Sequence, residues 1–122
     1  MLKSTAPAAY LPLKPNWFQV MLSLAGDPQH GYGIMQEVFE RTDGKLRLWP
    51  ATLYGTLKRL TEEDLIEESS RRPAPEKDDE RRRYYCLTEL GHLVLNAECQ
   101  RLEDLVGVIR SKRGMMAGRV EG

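Results

Sequence analysis

The residues with the most suggestive chemistry lie in one predicted helix, residues 50–64. At about 100° per residue, three leucines fall on one face of this helix, and small, hydroxyl-bearing and basic residues fall on the other. The outward residues expected to contact a ligand are Thr52, Tyr54, Gly55, Lys58 and Arg59. Because glycine inside a helix costs about 1 kcal/mol relative to alanine, Gly55 indicates the close approach of a partner. Hydroxyls and cations on such a face suit the phosphates and base edges of DNA, although an amphipathic core helix would show the same leucines.

A second candidate region is the charged segment 71–83, RRPAPEKDDERRR, in which six cations flank a central acidic group. Short runs on either side, 65–71 and 83–87, predict a β-hairpin with this segment as its loop. Like charges that face each other across paired strands are unfavourable, so the clustered arginines indicate a polyanionic partner. The expected phosphate contacts are Arg72, Arg81 and Arg82. A solvated charged loop is the alternative interpretation.

These residues need elements that position them. Helices are expected over residues 16–25, 31–41 and 50–64, followed by the two strands and a long helix over residues 89–112. Asn16, Pro50 and Thr88 are typical of helix starts, and residues 45–49 are expected to form a short strand or an extended connection. The second and third helices form a helix-turn-helix candidate whose second helix would enter the major groove, with Tyr32 as a further DNA contact. The predicted fold class is mainly α with a small β-hairpin, a winged helix-turn-helix domain plus a long C-terminal helix.

An apolar stripe with helical spacing runs along the last predicted helix. Its members are Leu95, Cys99, Leu102, Leu105, Val106 and Ile109. One small domain cannot cover so long a stripe, which therefore predicts a homodimer. The expected division of the chain is a flexible N-terminal arm over residues 1–15, a DNA-binding domain over 16–88, a dimerisation helix over 89–113 and a flexible tail over 114–122.

Composition limits the other functions. The 122 residues suffice for one domain, and no apolar run approaches the roughly 20 residues that span a bilayer, so a cytoplasmic protein is expected. Two cysteines and two histidines occur without C-x-x-C or H-E-x-x-H spacing, which argues against a metal, a cofactor or catalysis. The formal net charge is zero, whereas nucleic-acid-binding proteins are usually basic. A protein-interaction module that uses the same scaffold without DNA therefore stays open as the alternative.

Three segments in order resemble the PadR family of bacterial transcriptional repressors. They are HGYGIMQEV at 30–38, PATLYGTLKRLTEEDLIEE at 50–68 and RRRYYCLTELGHLVL at 81–95. The resemblance implies a homodimeric repressor that binds a palindromic operator in double-stranded DNA and responds to a small-molecule effector. A chain with one long helix after the wing resembles the short subgroup of the family, in which that helix mediates dimerisation.

The sequence departs from the family pattern at three positions. Ala51 stands where glycine is usual, Gly55 where proline is common, and Asp64 where glycine is common. The first two lie on the predicted DNA face, so the base specificity of the family cannot be transferred to this chain. Related short members line a ligand pocket with aromatic residues at the dimer interface. The last helix has none here, which leaves Trp17 and Phe18 as effector-binding candidates, with core or interface packing as the alternative.

Overall fold

The computed structural model describes residues 6–72 and 82–121. After a short 3-10 turn, Pro7–Tyr10, the elements in chain order are α1 (Pro15–Ser23), β1 (Gln29–His30), α2 (Gly31–Arg41), α3 (Pro50–Glu62), β2 (Ile66–Ser69), β3 (Tyr84–Leu87) and α4 (Glu89–Glu121). The predicted class, mainly α with a small hairpin and a long last helix, is confirmed. The link over residues 45–49 is an extended connection rather than a strand.

Local sequence signals set where the helices begin. Pro50 is the first residue of α3, where its missing amide N–H is not needed. The ring of His30 caps α2, because its Nδ1 accepts the amide N–H of Gly33 at 3.1 Å. The predicted cap at Asn16 is wrong: α1 begins one residue earlier, at Pro15, since proline is itself favoured in the first turn of a helix.

The turn between α3 and β2 is fixed to the start of α4. Asp64 has a left-handed backbone with a φ of 65°, and the amide of Leu65 donates to the carbonyl of Leu60 at 2.9 Å, which closes α3 in a Schellman turn. The hydroxyl of Thr88 donates to the carbonyl of Asp64 at 2.6 Å, and the amide of Thr88 donates to the carbonyl of Leu65 at 3.1 Å. The same hydroxyl accepts the amide of Gly91 at 2.9 Å, which confirms the predicted capping of α4 by Thr88.

The sheet has one strand more than the predicted hairpin. The hairpin of β2 and β3, called the wing below, is extended by β1, and the order β1-β3-β2 is antiparallel throughout, with His30 paired to Tyr84. Because β1 has only two residues, it is too short to show the alternation that predicts a strand. It joins the start of α2 directly to the wing. Tyr84 is buried and Tyr85 is half-buried, as expected for neighbours on opposite faces of a strand.

Residues 6–14, predicted as part of a flexible arm, instead pack against the helices. Leu13 is buried in the core, and its amide donates to the carboxylate of Glu98 on α4 at 2.9 Å. Glu98 is only 2% exposed and also accepts hydrogen bonds from Arg101 at 2.5 and 3.1 Å. The hydrogen bond from Arg101, aided by that from Leu13, outweighs burial and lowers the pKa of Glu98 from its ordinary value.

The two halves of α4 have different surroundings. Its first half completes the core with Val94 and Leu95, so Leu95, predicted as a dimer contact, is already buried within one chain, and Cys99 also packs against that core. Beyond residue 101 the stripe continues as half-buried Leu102 and the exposed Leu105, Val106 and Ile109. The helix runs to Glu121, past its predicted end at residues 112–113, because no proline interrupts it. Residues 114–121, predicted as part of a flexible tail, therefore continue α4.

Candidate nucleic-acid interface

The fold leaves the outer face of α3 uncovered. The leucines on its inner face are buried, whereas all five outward residues predicted from the sequence are exposed, namely Thr52, Tyr54, Gly55, Lys58 and Arg59. A Cβ added to Gly55 would have no heavy atom within 4 Å, so packing inside the protein does not require glycine at this position. The face is open to an external partner and lacks side-chain bulk at its centre.

A groove of about 410 Å³ lies where the first turn of α2, the helix α3 and the wing meet. Three tyrosines and two arginines line it, namely Tyr32, Tyr54, Tyr85, Arg82 and Arg83. Tyr32 and Tyr54 are each 53% exposed, and the Tyr54 hydroxyl lies over Gly31, where an added Cβ would approach it to 2.9 Å. The fold therefore brings together Tyr32, Tyr54 and Arg82, which the sequence predicted as contacts from three separate segments.

His30 connects the start of α2 to the base of the wing. Its Nε2 lies 3.2 Å from Nη1 of Arg82, and its ring meets the ring of Tyr84 edge to face at 5.2 Å. The guanidinium of Arg72 lies 5.1 Å from the centre of the Tyr84 ring and donates to the carbonyl oxygen of Arg82. Two of the three predicted wing arginines are therefore neighbours, and the third, Arg81, lies outside the described residues.

Tyr85 and Arg83 continue this surface toward the middle of α3. They line a second groove together with Tyr54, Lys58 and Glu68. Burial, reinforced by the nearby carboxylate of Glu68, raises the pKa of Tyr85, and Arg83 acts in the opposite direction. The phenol of Tyr85 therefore stays neutral at physiological pH and presents both a hydrogen-bond donor and an acceptor beside the arginine.

Sequence reasoning missed three residues of this surface: His30, Arg83 and Tyr85. Each belongs to a segment that carries the family resemblance, HGYG or RRRYY. The signal for His30 is its place directly before a helix, and the signal for Arg83 is the run of arginines. Neither pattern indicates that these segments meet, because that contact depends on the pairing of β1 with β3.

The effector-binding candidates lie elsewhere. Trp17 and Phe18 on α1 are half-buried and pack against the core, and their part in ligand binding stays a prediction. Within residues 6–72 and 82–121, no three histidine, cysteine, aspartate or glutamate side chains cluster as metal ligands would. In the same described part of the chain, no helix combines the length and the apolar character needed to cross a membrane.

The model of the PadR-like family of transcriptional regulators matches residues 20–97, well over half of the chain. The matched range includes both helices of the helix-turn-helix, the wing and the core half of α4. A Streptomyces fradiae protein, described as an uncharacterized 37.1 kDa protein in transposon TN4556, is 39% identical over 88 residues. That match covers 72% of this chain but only 23% of the relative, so the chain spans about a quarter of the relative's length.

Solved structures share the fold. A transcriptional regulator from Clostridium thermocellum superposes with a TM-score of 0.62 at 22% identity, covering 91% of this chain and 97% of that one. A PadR-like transcription factor from Bacteroides fragilis gives a TM-score of 0.62 at 25% identity, covering 78% of this chain and 86% of the other. The winged-helix architecture and the resemblance predicted from the sequence are thereby confirmed.

Proposed function

We propose that this chain, which belongs to the PadR-like family of transcriptional regulators, binds double-stranded DNA sequence-specifically through α3 and the wing. The observation that carries the proposal is the convergence of Tyr32, Tyr54 and Arg82 beside the uncovered face of α3. The major groove of B-DNA, about 12 Å wide, admits a helix. A helix face of hydroxyls, glycine and cations suits such a groove better than it suits an apolar partner.

In this proposal α3 lies in the major groove and the wing follows the neighbouring DNA backbone. Thr52 and Tyr54 contact base edges, and Gly55 lets the helix backbone approach the bases closely. Phosphate contacts come from the cations Lys58, Arg59, Arg72, Arg81 and Arg82. The formal net charge of the chain is zero, and acids also lie on α3 and in the wing, Glu62, Glu67 and Glu68 among them. The proposal therefore depends on the local placement of the cations and not on the overall charge.

We further infer that a second copy of this chain covers the second half of α4, residues 102–121, which is called its far half below. The 33 residues of α4 extend about 50 Å, whereas a small domain is about 30 Å across. Leu95, Leu102, Ile109 and Met116 recur every seven residues, the spacing of paired helices. Leu95 is core, but Ile109 and Met116 are 47% and 56% exposed. The same stripe thus requires a second partner where the domain ends.

A two-fold dimer would present two copies of α3 to two half-sites, which requires a palindromic operator. We propose that the dimer acts in the cytoplasm as a repressor, because a dimer bound at the operator blocks access of the transcription machinery to that DNA. A small-molecule effector that changes the separation of the two α3 helices would release the dimer from the operator, because the two helices would then no longer fit both half-sites at once. The resemblance to a family of repressors supports both the repression and the release by an effector.

Selection of bound duplexes from a random library tests the proposed function. The expected result is an enriched motif with two inverted halves, centred one helical turn of about 34–36 Å apart or a multiple of it. Binding to all duplexes without enrichment would remove sequence specificity from the proposal. Failure to bind any duplex at low salt would contradict it and favour a protein-interaction module, the alternative that the zero net charge supports.

A further inference from the structure

Two exposed aromatic rings and one arginine form a cluster beside the start of α3. Phe39, near the end of α2, is 37% exposed, and Trp49, directly before α3, is 60% exposed. The guanidinium carbon of Arg47 lies 4.8 Å from the ring centre of Phe39 and 5.1 Å from that of Trp49. The cluster therefore holds a stacked cation on the surface of the helix-turn-helix, outside the contacts assigned above.

Side chains of the extended link 45–49 point alternately toward the core and toward solvent, and this alternation holds the cluster in place. Leu46 and Leu48 turn toward the core, and Leu48 is only 2% exposed. Arg47 and Trp49 consequently point outward together, as neighbours with a two-residue period do in extended chain. The link is thus anchored from below, and the two outward side chains share one side of it.

Both ends of the cluster are fixed to a helix. Gly44, with a φ of 76°, turns the chain beneath Phe39 and donates its amide to the Phe39 carbonyl at 2.8 Å. The carbonyl of Trp49 accepts the amide of Leu53 at 2.8 Å, in the first turn of α3. Trp49 therefore moves with α3, and the position of the stacked Arg47 is coupled to that of the helix.

The guanidinium of Arg47 differs in its surroundings from that of an arginine whose hydrogen bonds connect two parts of the fold. Arg41, at the end of α2, donates to Gln19 and Glu37, so its charge is used within the fold. Within residues 6–72 and 82–121, no hydrogen bond or ion pair engages the guanidinium of Arg47. Aromatic stacking covers the guanidinium plane and leaves its edge of N–H donors available, and that edge matches the oxygens of a phosphate.

The cluster is continuous with the proposed DNA surface. Tyr32 lines both the groove of about 410 Å³ between α2, α3 and the wing and the groove of about 290 Å³ that contains Phe39, Arg47 and Trp49. The cluster lies at the N-terminal end of α3, where the first amides lack intrahelical acceptors and carry partial positive charge. In helix-turn-helix complexes the N-terminal residues of the recognition helix contact base edges in the major groove. The DNA backbone that borders the groove therefore lies beside that end of the helix.

We propose that Arg47, held by Phe39 and Trp49, binds a phosphate of the DNA backbone beside the start of α3. The inference rests on the proposed DNA-binding function and extends the footprint from α3 and the wing to the link before α3. A phosphate contact carries no base information. Arg47 therefore strengthens binding to the operator and to random duplex by the same factor.

Binding measurements on the full chain with Arg47→Ala test this contact. Fluorescence anisotropy is recorded with the selected operator and with a random duplex over a range of salt concentrations. The expected result is an equal fold-loss of affinity on both duplexes, with a slope of log K against log salt that is less steep by about 0.9 for each phosphate that Arg47 no longer neutralises. The matched control is Lys14→Ala, which removes a cation stacked 5.3 Å from Trp17 on α1 and should leave the slope unchanged.

Two further variants separate charge from positioning. Arg47→Lys should keep the salt slope but weaken binding, because an ammonium neither stacks as a plane nor forms a fork. Trp49→Leu should also keep the slope, with a smaller loss of affinity, because it removes one of the two stacking faces. These variants carry the test if Arg47→Ala does not fold.

Three outcomes would overturn the proposed phosphate contact. Wild-type affinity and slope in Arg47→Ala, alongside a flattened slope in Lys58→Ala, would remove the Arg47 contact while the proposed function stands, and would leave an anionic small molecule or an acidic protein as the occupant of the cluster. A loss of affinity confined to the operator would make Arg47 a base contact. A wild-type chain that binds no duplex would overturn both the proposed function and this inference.

Discussion

The outer face of α3 and the far half of α4 are both left uncovered by the core, yet their chemistry is opposite. The face of α3 presents Thr52, Gly55 and Lys58, whereas the far half of α4 presents Val106 and Ile109. Aliphatic surface is stabilised by removal from water, which a second apolar helix achieves and a polyanion does not. Exposure alone therefore does not distinguish the two faces, whereas their residue types favour different kinds of partner.

A second contrast lies within α4 itself. In the first half, Gly91 and Leu95 belong to the packed domain, and in the second half Gly107 and Ile109 lie in the open. One apolar stripe thus packs against the core in the first half of α4 and is exposed in the second half, where we propose that a second copy of the chain covers it. Substitutions in the first half should act on folding, and substitutions in the second half should act on assembly.

The largest expected effect follows from a matched pair of glycines on α4. A Cβ at Gly91 would lie 1.9 Å from the carbonyl oxygen of Leu65, so Gly91→Ala should separate α4 from the turn after α3 and cost more than about 4 kcal/mol. Gly107→Ala meets no heavy atom within 4 Å and should gain up to about 1 kcal/mol. Urea unfolding measures both, and equal destabilisation would show that the far half is packed like the near half.

Leu102→Asp sharpens the same contrast at the level of assembly. Burying an unpaired charge costs several kcal/mol, so the dimer dissociation constant should rise by more than about 100-fold, equivalent to about 2.7 kcal/mol. Sedimentation equilibrium measures the change, and Glu103→Ala, the adjacent exposed position, is the control. A Leu102→Asp chain that stays dimeric with its fold intact would refute this stripe as the dimer contact.

Glu98→Gln tests the polar contact inside the near half of α4. The variant should lose about 1–3 kcal/mol of unfolding free energy at neutral pH, because Arg101 and Leu13 lose a charged acceptor. Since the folded pKa of Glu98 is lowered from 4.5, its carboxylate stabilises the fold above about 4.5, and this stabilisation disappears as the pH falls through the lowered value. A difference between wild type and variant that does not change with pH would contradict this account.

The smallest effect on folding is expected at the centre of the α3 face. Gly55→Ala should raise the unfolding free energy by up to about 1 kcal/mol, because alanine favours helix and the space is open. The same methyl should hinder close approach of DNA and lower operator affinity severalfold. Thermal unfolding and anisotropy on one protein preparation compare the two effects. A variant that is stabilised and binds the operator as tightly as wild type would separate Gly55 from the DNA interface.

Much of the fold could be predicted because its signals are local. Pro50 and Thr88 mark helix starts through their own hydrogen-bonding capacity, and leucine spacing determines which face of α3 is buried. The missed features depend on distant partners. β1 exists because two residues pair with β3, and Leu13 is ordered by Glu98, which is 85 residues away.

The candidate site shows the same division. Periodicity was sufficient to predict the outward residues of α3, since one helix determines them. The groove of Tyr32, Tyr54 and Arg82 needed the fold, because three segments meet there. The stacking of Arg47 between two rings likewise depends on how the link returns over α2, which no spacing in the sequence encodes.

The most direct test of the central claim is the salt dependence of operator binding in Lys58→Ala. If α3 lies in the major groove with Lys58 on a phosphate, the slope of log K against log salt should become less steep by about 0.9 per subunit, or about 1.8 for a dimer. Glu62→Ala, one turn further along the exposed side of α3, should leave the slope unchanged or tighten binding slightly. An unaltered slope in a folded, dimeric Lys58→Ala protein would contradict the placement of α3 against DNA.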